Sequence, residues 1–118
     1  MPHVKLEYTE NVNWKSPIQD IFPKLQTVLI QHAGVKPENC KHRATQLKDY
    51  FCTIGGSPGG FIHLEIILLS GRSKEVKTNI GEECSQIIQS FIENSAEIHV
   101  SVELRDMDSK NYFTTTKI

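Results

Sequence analysis

The fold is decided by residues 61–73, FIHLEIILLSGRS. In the first part of this stretch apolar and polar residues alternate, which is the period-two pattern of a β-strand. The apolar residues of one side are Ile62, Leu64, Ile66 and Leu68. The uninterrupted apolar run at the end of the stretch predicts burial on both faces of the strand. Gly71-Arg72-Ser73 then predicts a corner, because the next segment has the apolar spacing of a helix.

Working outward, three more segments predict strands. Residues 3–8 and 98–104 alternate apolar with polar side chains, as half-buried strands do. Residues 39–53 are polar and contain neither glycine nor proline, which favours an extended strand with one solvated face. Residues 55–60, GGSPGG, predict a turn or loop. Residues 112–116 are compatible with a short terminal strand.

The segment between the first two strands predicts a helix. Residues 16–19, SPIQ, resemble a capped helix start, with serine as the cap and proline at the first helical position. Apolar residues follow helical spacing over residues 18–32, and Gly34 favours a stop there. Pro23 falls inside this pattern and removes a backbone donor, so we predict a kink at that point.

The predicted order of elements gives the architecture. Strand, helix, strand occurs once in residues 1–58 and again in residues 59–118 of a single domain spanning 1–118. The connection lengths favour parallel pairing with right-handed crossovers. We therefore predict an α+β fold whose two βαβ units form a four-stranded sheet with both helices on one face. The strands look apolar on both sides, which favours burial of the second face in an oligomer.

The composition narrows the choice of function. The 118 residues carry 13 Lys and Arg against 14 Asp and Glu, a net charge of −1, so we expect no nucleic-acid partner. The five histidines show neither HxxxH nor HxH spacing, and we expect no metal.

The cysteines and the apolar runs bear on where the protein is found. Cys40, Cys52 and Cys84 are odd in number and widely spaced, which argues against a disulfide framework and favours a reducing, cytoplasmic setting. The longest apolar run, residues 66–69, is too short to cross a membrane. We expect no membrane association.

The first residues and the corner carry a family resemblance. Met1-Pro2-His3 followed directly by a strand resembles the start of proteins of the tautomerase superfamily. The strand from Phe61, the residues 70–73, SGRS, and the helix behind them resemble the 5-carboxymethyl-2-hydroxymuconate isomerase branch. The resemblance implies a homotrimer, no cofactor, removal of Met1, and a proline that acts as acid and base at the amino terminus.

The resemblance also implies site residues. Pro2 matches the catalytic proline, and Arg72 matches the arginine of the corner, which binds a substrate carboxylate in this family. The arginine of the second strand falls on Lys41, which keeps the charge and loses the bidentate fork of arginine. Arg43 lies two residues further on and is expected on the same face as Lys41. The implied partner is a small-molecule carboxylate.

These residues support one another chemically. The conversion of a dienol acid to its conjugated keto form moves one proton, and a group with a near-neutral pKa can take and return it. Cations near Pro2 would disfavour the charged amine, bind carboxylates and stabilise an enolate. Each residue also has a purely structural interpretation: Arg72 as the lead into the helix, and Lys41 and Arg43 as a solvated strand face. His3 is either a hydrogen-bonding group of the site or strand filler, and we favour strand filler. His63 and Glu65 share a face and are a further candidate relay.

The predicted function is therefore ketonisation of a 2-hydroxymuconate-type acid, with 5-carboxymethyl-2-hydroxymuconate as the substrate. Three alternatives remain open from the sequence. They are decarboxylation or hydration of a small unsaturated acid by the same proline, a signalling protein similar to macrophage migration inhibitory factor, and a homologue without activity.

Overall fold

The computed structural model describes residues 2–93 and 97–118, which form one mixed sheet and two helices. Two short strands form a separate hairpin, and single 3₁₀ turns occur at Ile18–Asp20, Pro37–Asn39 and Ser109–Asn111. The strands are β1 (His3–Thr9), β2 (Lys41–Leu47), β3 (Thr53–Ile54), β4 (Ser57–Pro58), β5 (Gly60–Leu69) and β6 (Ile98–Met107). The helices are α1 (Ile21–Ala33) and α2 (Lys74–Ser90).

The sheet confirms the predicted doubling of a βαβ unit. Its order is β2-β1-β5-β6, with β1 parallel to β2, β5 parallel to β6, and β1 antiparallel to β5 in the centre. This arrangement brings the starts of β1 and β2 beside the ends of β5 and β6. His3 is opposite Lys41 on one side and Ile67 on the other, and Ile67 is opposite Arg105. We call this border of the sheet the Pro2 edge.

One face of the sheet packs against both helices and forms the core, as predicted. The sheet residues of this face are at most 1% exposed: Val4, Leu6, Ile62, Leu64, Ile66 and Leu68. Each helix contributes a buried stripe to the same cluster: Ile21, Leu25, Val28 and Leu29 from α1, and Ile80, Cys84 and Ile88 from α2. Burial of each such side chain contributes about 1.5–3 kcal/mol, so this layer holds the helices on the sheet.

The predicted start of the first helix was wrong. The chain makes one 3₁₀ turn at Ile18–Asp20, and α1 begins at Ile21 without a side-chain cap. Pro23 is consequently the third residue of α1, where a backbone N–H has no partner within the helix, so proline needs no kink there. The predicted end is confirmed, because Gly34 has a φ of 65° and its amide donates to the carbonyl of Ile30 at 3.1 Å.

The second face of the sheet corrects the sequence interpretation. We predicted apolar side chains on both sides of the strands, yet this face is largely charged. Its ionic group crosses three strands and consists of Lys5, His63, Glu65, Glu103 and Arg105. Among the residues that point this way, the apolar ones are few: Leu47, Phe61, Ile67, Leu69 and Met107. Because the second face is not an apolar surface, the burial of apolar side chains gives no argument for an oligomer.

The remaining segments are shorter or more irregular than predicted. The strand expected over residues 39–53 is confirmed only for β2. Gly55 and Gly56, with φ of 59° and 81°, form the turn between β3 and β4, since two successive left-handed residues suit a tight hairpin. Residues 112–116 do not form a strand. In the described part of the chain, no helix combines the length and the apolar character needed to cross a membrane.

Candidate active site

Pro2 is buried at the start of β1. Its carbonyl oxygen accepts a hydrogen bond from the amide of Lys41 at 3.0 Å, which extends the β1–β2 ladder by one residue. Strand alternation gives Pro2 the same side as Val4, so its ring lies towards the helices. The expected removal of Met1 concerns a residue outside the described ranges.

The two cations of β2 share a face, as predicted, and it is the face opposite the helices. Lys41 and Arg43 are opposite His3 and Lys5 in the parallel register. The Lys41 ammonium donates to the carbonyl of Glu38 at 2.9 Å, in the middle of the preceding 3₁₀ turn. Both side chains remain exposed, so a solute can reach them.

Arg43 belongs to a chain of hydrogen bonds that reaches the C-terminal segment. Its Nη1 lies 3.0 Å from Nδ1 of His3, and Nε2 of His3 lies 3.0 Å from the hydroxyl of Tyr112. The two rings also meet edge to face, with centroids 5.8 Å apart. We predicted strand filler at His3 and a short strand at Tyr112, so the sequence did not reveal this chain of contacts.

The surroundings of His3 lower its pKa below the ordinary 6.5. Partial burial is the largest cause, followed by the charges of Arg43 and Lys41. An imidazole in a cationic, partly dry site is disfavoured in its charged form. His3 is therefore neutral at pH 7, and the positive charge at this point of the Pro2 edge belongs to Lys41 and Arg43.

Arg72 lies at the corner between β5 and α2, as predicted. Its Nη1 donates to the carbonyl of Leu69 and its Nη2 to the carbonyl of Ala33, both at 3.1 Å. These are the last residues of β5 and α1, which both end at the Pro2 edge. The next residue, Ser73, caps α2 by accepting the amide of Val76 at 3.2 Å. The N-terminus of α2 adds partial positive charge beside Arg72.

The candidate relay between His63 and Glu65 was wrong. His63 hydrogen-bonds Ser101 at 2.6 Å and Glu103 at 3.3 Å. Glu65 instead pairs with Lys5 at 3.5 Å and with Arg105 at 3.3 Å. Both residues thus serve the ionic group of the second face.

Other features of the surface do not compete with the Pro2 edge. A cleft of about 530 Å³ lies between the two helices. Its lining residues include Lys24, Gln31, Glu83 and Gln86 and none of the predicted site residues. Within residues 2–93 and 97–118, no three His, Cys, Asp or Glu side chains converge as ligands for a metal. Cys40, Cys52 and Cys84 are free thiols.

Comparison with solved structures shows the fold class. A 5-carboxymethyl-2-hydroxymuconate isomerase from Deinococcus radiodurans R1 matches with a TM-score of 0.80 at 24% identity, over 98% of this chain and 90% of that chain. A 5-carboxymethyl-2-hydroxymuconate delta-isomerase matches with a TM-score of 0.69 at 16% identity, over 99% and 89% of the two chains. A structure described as a Q0 fused 4-OT wild type symmetric trimer gives 0.71 at 12% identity, over 98% and 94%. The chain shares its fold with these three structures.

The family follows from the sequence match. The family of 5-carboxymethyl-2-hydroxymuconate isomerase matches residues 2–118, so the chain belongs to this family and is an isomerase. A search of curated proteins found no significant match. The matched range begins at Pro2 and includes the Gly-Arg-Ser corner.

Proposed function

We propose that this isomerase converts 5-carboxymethyl-2-hydroxymuconate, or a closely related dienol acid, to its conjugated keto form, with Pro2 as the acid and base. The observation that carries the proposal is the position of Pro2. It is buried at an edge of the sheet where Lys41, Arg43 and Arg72 are also found, in a chain of the matching family.

The proton transfer needs the amine of Pro2 to be free. Once Met1 is removed, Pro2 carries a secondary amine. This amine takes the proton of the enol hydroxyl, and the electron pair of that O–H bond forms the carbonyl. The diene electrons then shift towards the distant carbon, which receives the same proton from the ammonium. One group thus performs both steps, and no cofactor is required.

Cations at the Pro2 edge support both steps. They favour the neutral amine, because a second positive charge nearby is unfavourable. Arg43 and Lys41 are exposed and suited to bind a carboxylate. Arg72 already donates two hydrogen bonds to carbonyls, so its remaining donors and the N-terminus of α2 would stabilise negative charge on the enolate oxygen.

The assay is the ultraviolet change of 5-carboxymethyl-2-hydroxymuconate and of 2-hydroxymuconate. It uses untagged protein shown by mass to begin at Pro2, the Pro2→Ala variant, and wild-type protein with a residue retained ahead of Pro2. Fast turnover of the carboxymethyl compound that falls at least about 100-fold in both altered proteins supports the proposal, because general acid–base groups contribute this much. Undiminished turnover by Pro2→Ala would rule out the proline mechanism.

We also propose a homotrimer, located in the cytoplasm. The Q0 fused 4-OT structure, described as a symmetric trimer, supports the assembly. The second face of the sheet also supports it, because its acidic and basic side chains can meet charges of the opposite sign on neighbouring copies. Sedimentation equilibrium at physiological salt tests it. A monomeric mass at micromolar concentration would contradict the trimer and leave the proposed chemistry to the assay above.

A further inference from the structure

We propose that His3 is a positioning residue, which holds the guanidinium of Arg43 ready for a substrate carboxylate and is itself held by Tyr112. The proposal rests on the proposed function, because it assumes that Arg43 binds the substrate. It concerns His3, for which the sequence left a hydrogen-bonding role as the alternative to strand filler, and Tyr112, for which the sequence predicted no part in the site. Their hydrogen bonds join β1, β2 and the C-terminal segment at the Pro2 edge.

The direction of each hydrogen bond follows from the chemistry of the groups. A guanidinium has only donors, so Nδ1 of His3 must accept the bond from Nη1 of Arg43. A neutral imidazole that accepts at Nδ1 carries its proton on Nε2, which then donates to the hydroxyl of Tyr112. Tyr112 therefore stabilises the one neutral tautomer of His3 that can accept from Arg43.

Every charged group around His3 favours this neutral form. Burial is the largest cause of the lowered pKa of His3. The charges of Lys5, on the same strand, and of Lys41 and Arg43, on β2, lower this pKa further. From β5 the facing residue is Ile67, which is uncharged, and the C-terminal segment contributes the hydroxyl of Tyr112. No carboxylate among these groups favours protonation of His3.

The consequence for Arg43 is a restricted set of rotamers. Within the described residues, His3 is the one hydrogen-bond partner that the structure gives Arg43. An exposed arginine without it would be free to rotate, and binding of a carboxylate would then have to order the side chain. With Nη1 held by His3, the other guanidinium donors remain available for a carboxylate.

The test compares kcat and KM for the dienol acid in variants that begin at Pro2. His3→Phe keeps the ring and removes both nitrogens, and we expect KM to rise about tenfold with kcat within about twofold, as for loss of one hydrogen bond to a charged group. His3→Asn retains an acceptor near Nδ1 and should recover most of the wild-type KM. His99→Phe, at an exposed histidine near the far end of β6, is the matched control and should leave KM unchanged.

Arg43→Met separates this proposal from the proposed function. It should raise KM by itself, and His3→Phe should then add nothing, because the group that it positions is gone. If Arg43→Met raises KM but His3→Phe does not, the positioning role is overturned and the binding role of Arg43 stands. If Arg43→Met leaves KM unchanged, both are overturned, whereas the dependence on Pro2 is judged by the Pro2→Ala assay alone.

The pH dependence gives a readout that a purely structural role would not move. Protonation of His3 converts Nδ1 from an acceptor to a donor and sets two cations against each other. The wild-type KM should therefore rise as the pH falls below 6.5, and the KM of His3→Asn should stay flat in this range. A parallel rise in both proteins would overturn the proposal. Should His3→Phe fail to fold, Tyr112→Phe carries the test, with an expected rise in KM of about threefold; an unchanged KM would overturn the role of Tyr112.

Discussion

Arg72 donates a hydrogen bond from Nη2 to the main-chain oxygen of Ala33 at 3.1 Å, which fastens the end of α1 to the corner that leads into α2. A helix leaves its last four carbonyls without partners inside the helix, and Arg72 provides one of them with a charged donor. The same guanidinium holds Leu69 at the end of β5. Arg72 therefore has a structural role that is separate from its proposed contact with the substrate.

Arg72→Lys should test both the structural role and the proposed contact of Arg72 with the substrate. Lysine keeps the charge, but its single ammonium cannot repeat the two bonds of the planar fork. We expect the free energy of unfolding in urea to fall by about 1–2 kcal/mol and KM for the dienol acid to rise. Arg105→Lys is the control, because Arg105 is exposed and its partners among the described residues are the side-chain carboxylates of Glu65 and Glu103, not main-chain carbonyls. Equal stability of Arg72→Lys and wild type would contradict the structural role.

Gly81→Ala should stabilise the protein. Gly81 lies within α2, and a Cβ added there would meet Leu104 at 3.5 Å, an ordinary contact distance. Alanine is preferred over glycine in a helix by about 1 kcal/mol, so a similar gain is expected in urea denaturation. Gly71→Ala is the opposite control, because Gly71 has a φ of 120°, where a side chain is strained. A loss of stability for Gly81→Ala would mean that Leu104 cannot accommodate the methyl group.

His42→Leu should raise stability and weaken its dependence on acid. Both ring nitrogens of His42 are buried and lack a hydrogen-bond partner among the described residues, and the ring packs against Phe22. Leucine removes two unsatisfied polar atoms, for which we expect a gain of about 1 kcal/mol at pH 7.5 in urea denaturation.

The acid dependence follows from the pKa of His42, which burial lowers below 6.5. The unfolded chain then takes up a proton at a higher pH than the folded chain, so stability is lost as the pH falls below 6.5. His42→Leu should lose less stability between pH 7.5 and 5 than wild type. His99→Leu, at an exposed position, should lose as much as wild type. If both variants lose the same amount of folding stability between pH 7.5 and 5, His42 does not cause the loss of stability in acid.

Glu65→Gln should weaken the ionic group of the second face. Glu65 is 16% exposed in its side chain and pairs with both Lys5 and Arg105, so its loss removes the carboxylate beside Lys5 and leaves Arg105 paired with Glu103 alone. We expect a decrease of about 1 kcal/mol in the free energy of unfolding at low salt, and a smaller one in 1 M NaCl. Glu82→Gln, at an exposed carboxylate of α2, should change little at either salt concentration. A decrease for Glu65→Gln that is independent of salt would show that the charge is not its cause.

The architecture was predictable because its signals are local and periodic. The alternation around Leu64 and the helical spacing after Ser73 each specify one element, and connection lengths then favour two parallel pairs. The start of α1 was not predictable from residues 16–19, because a 3₁₀ turn and a capped helix share the same sequence signals. The character of the second face was misjudged from the apolar run at Ile67 and Leu69, which is only its last part.

The candidate site was predictable only where the resemblance supplied it. Pro2, Lys41, Arg43 and Arg72 were named from the sequence, and the topology brings them to one edge of the sheet. Side-chain partners were not predictable in this way. The contact between His3 and Tyr112 joins residues 109 positions apart, and no periodic pattern encodes such a contact.

The hydrogen bond between the amide of Lys41 and the carbonyl of Pro2 is made by main-chain atoms alone. Any residue other than proline can provide that amide, so the side chain at position 41 can be exchanged while residue 2 stays where it is. The side chain proposed to bind the substrate and the main-chain bond that holds residue 2 can therefore change independently. A lineage can try lysine, arginine or an uncharged residue at position 41, and so explore new acids, without rebuilding the position of its proline.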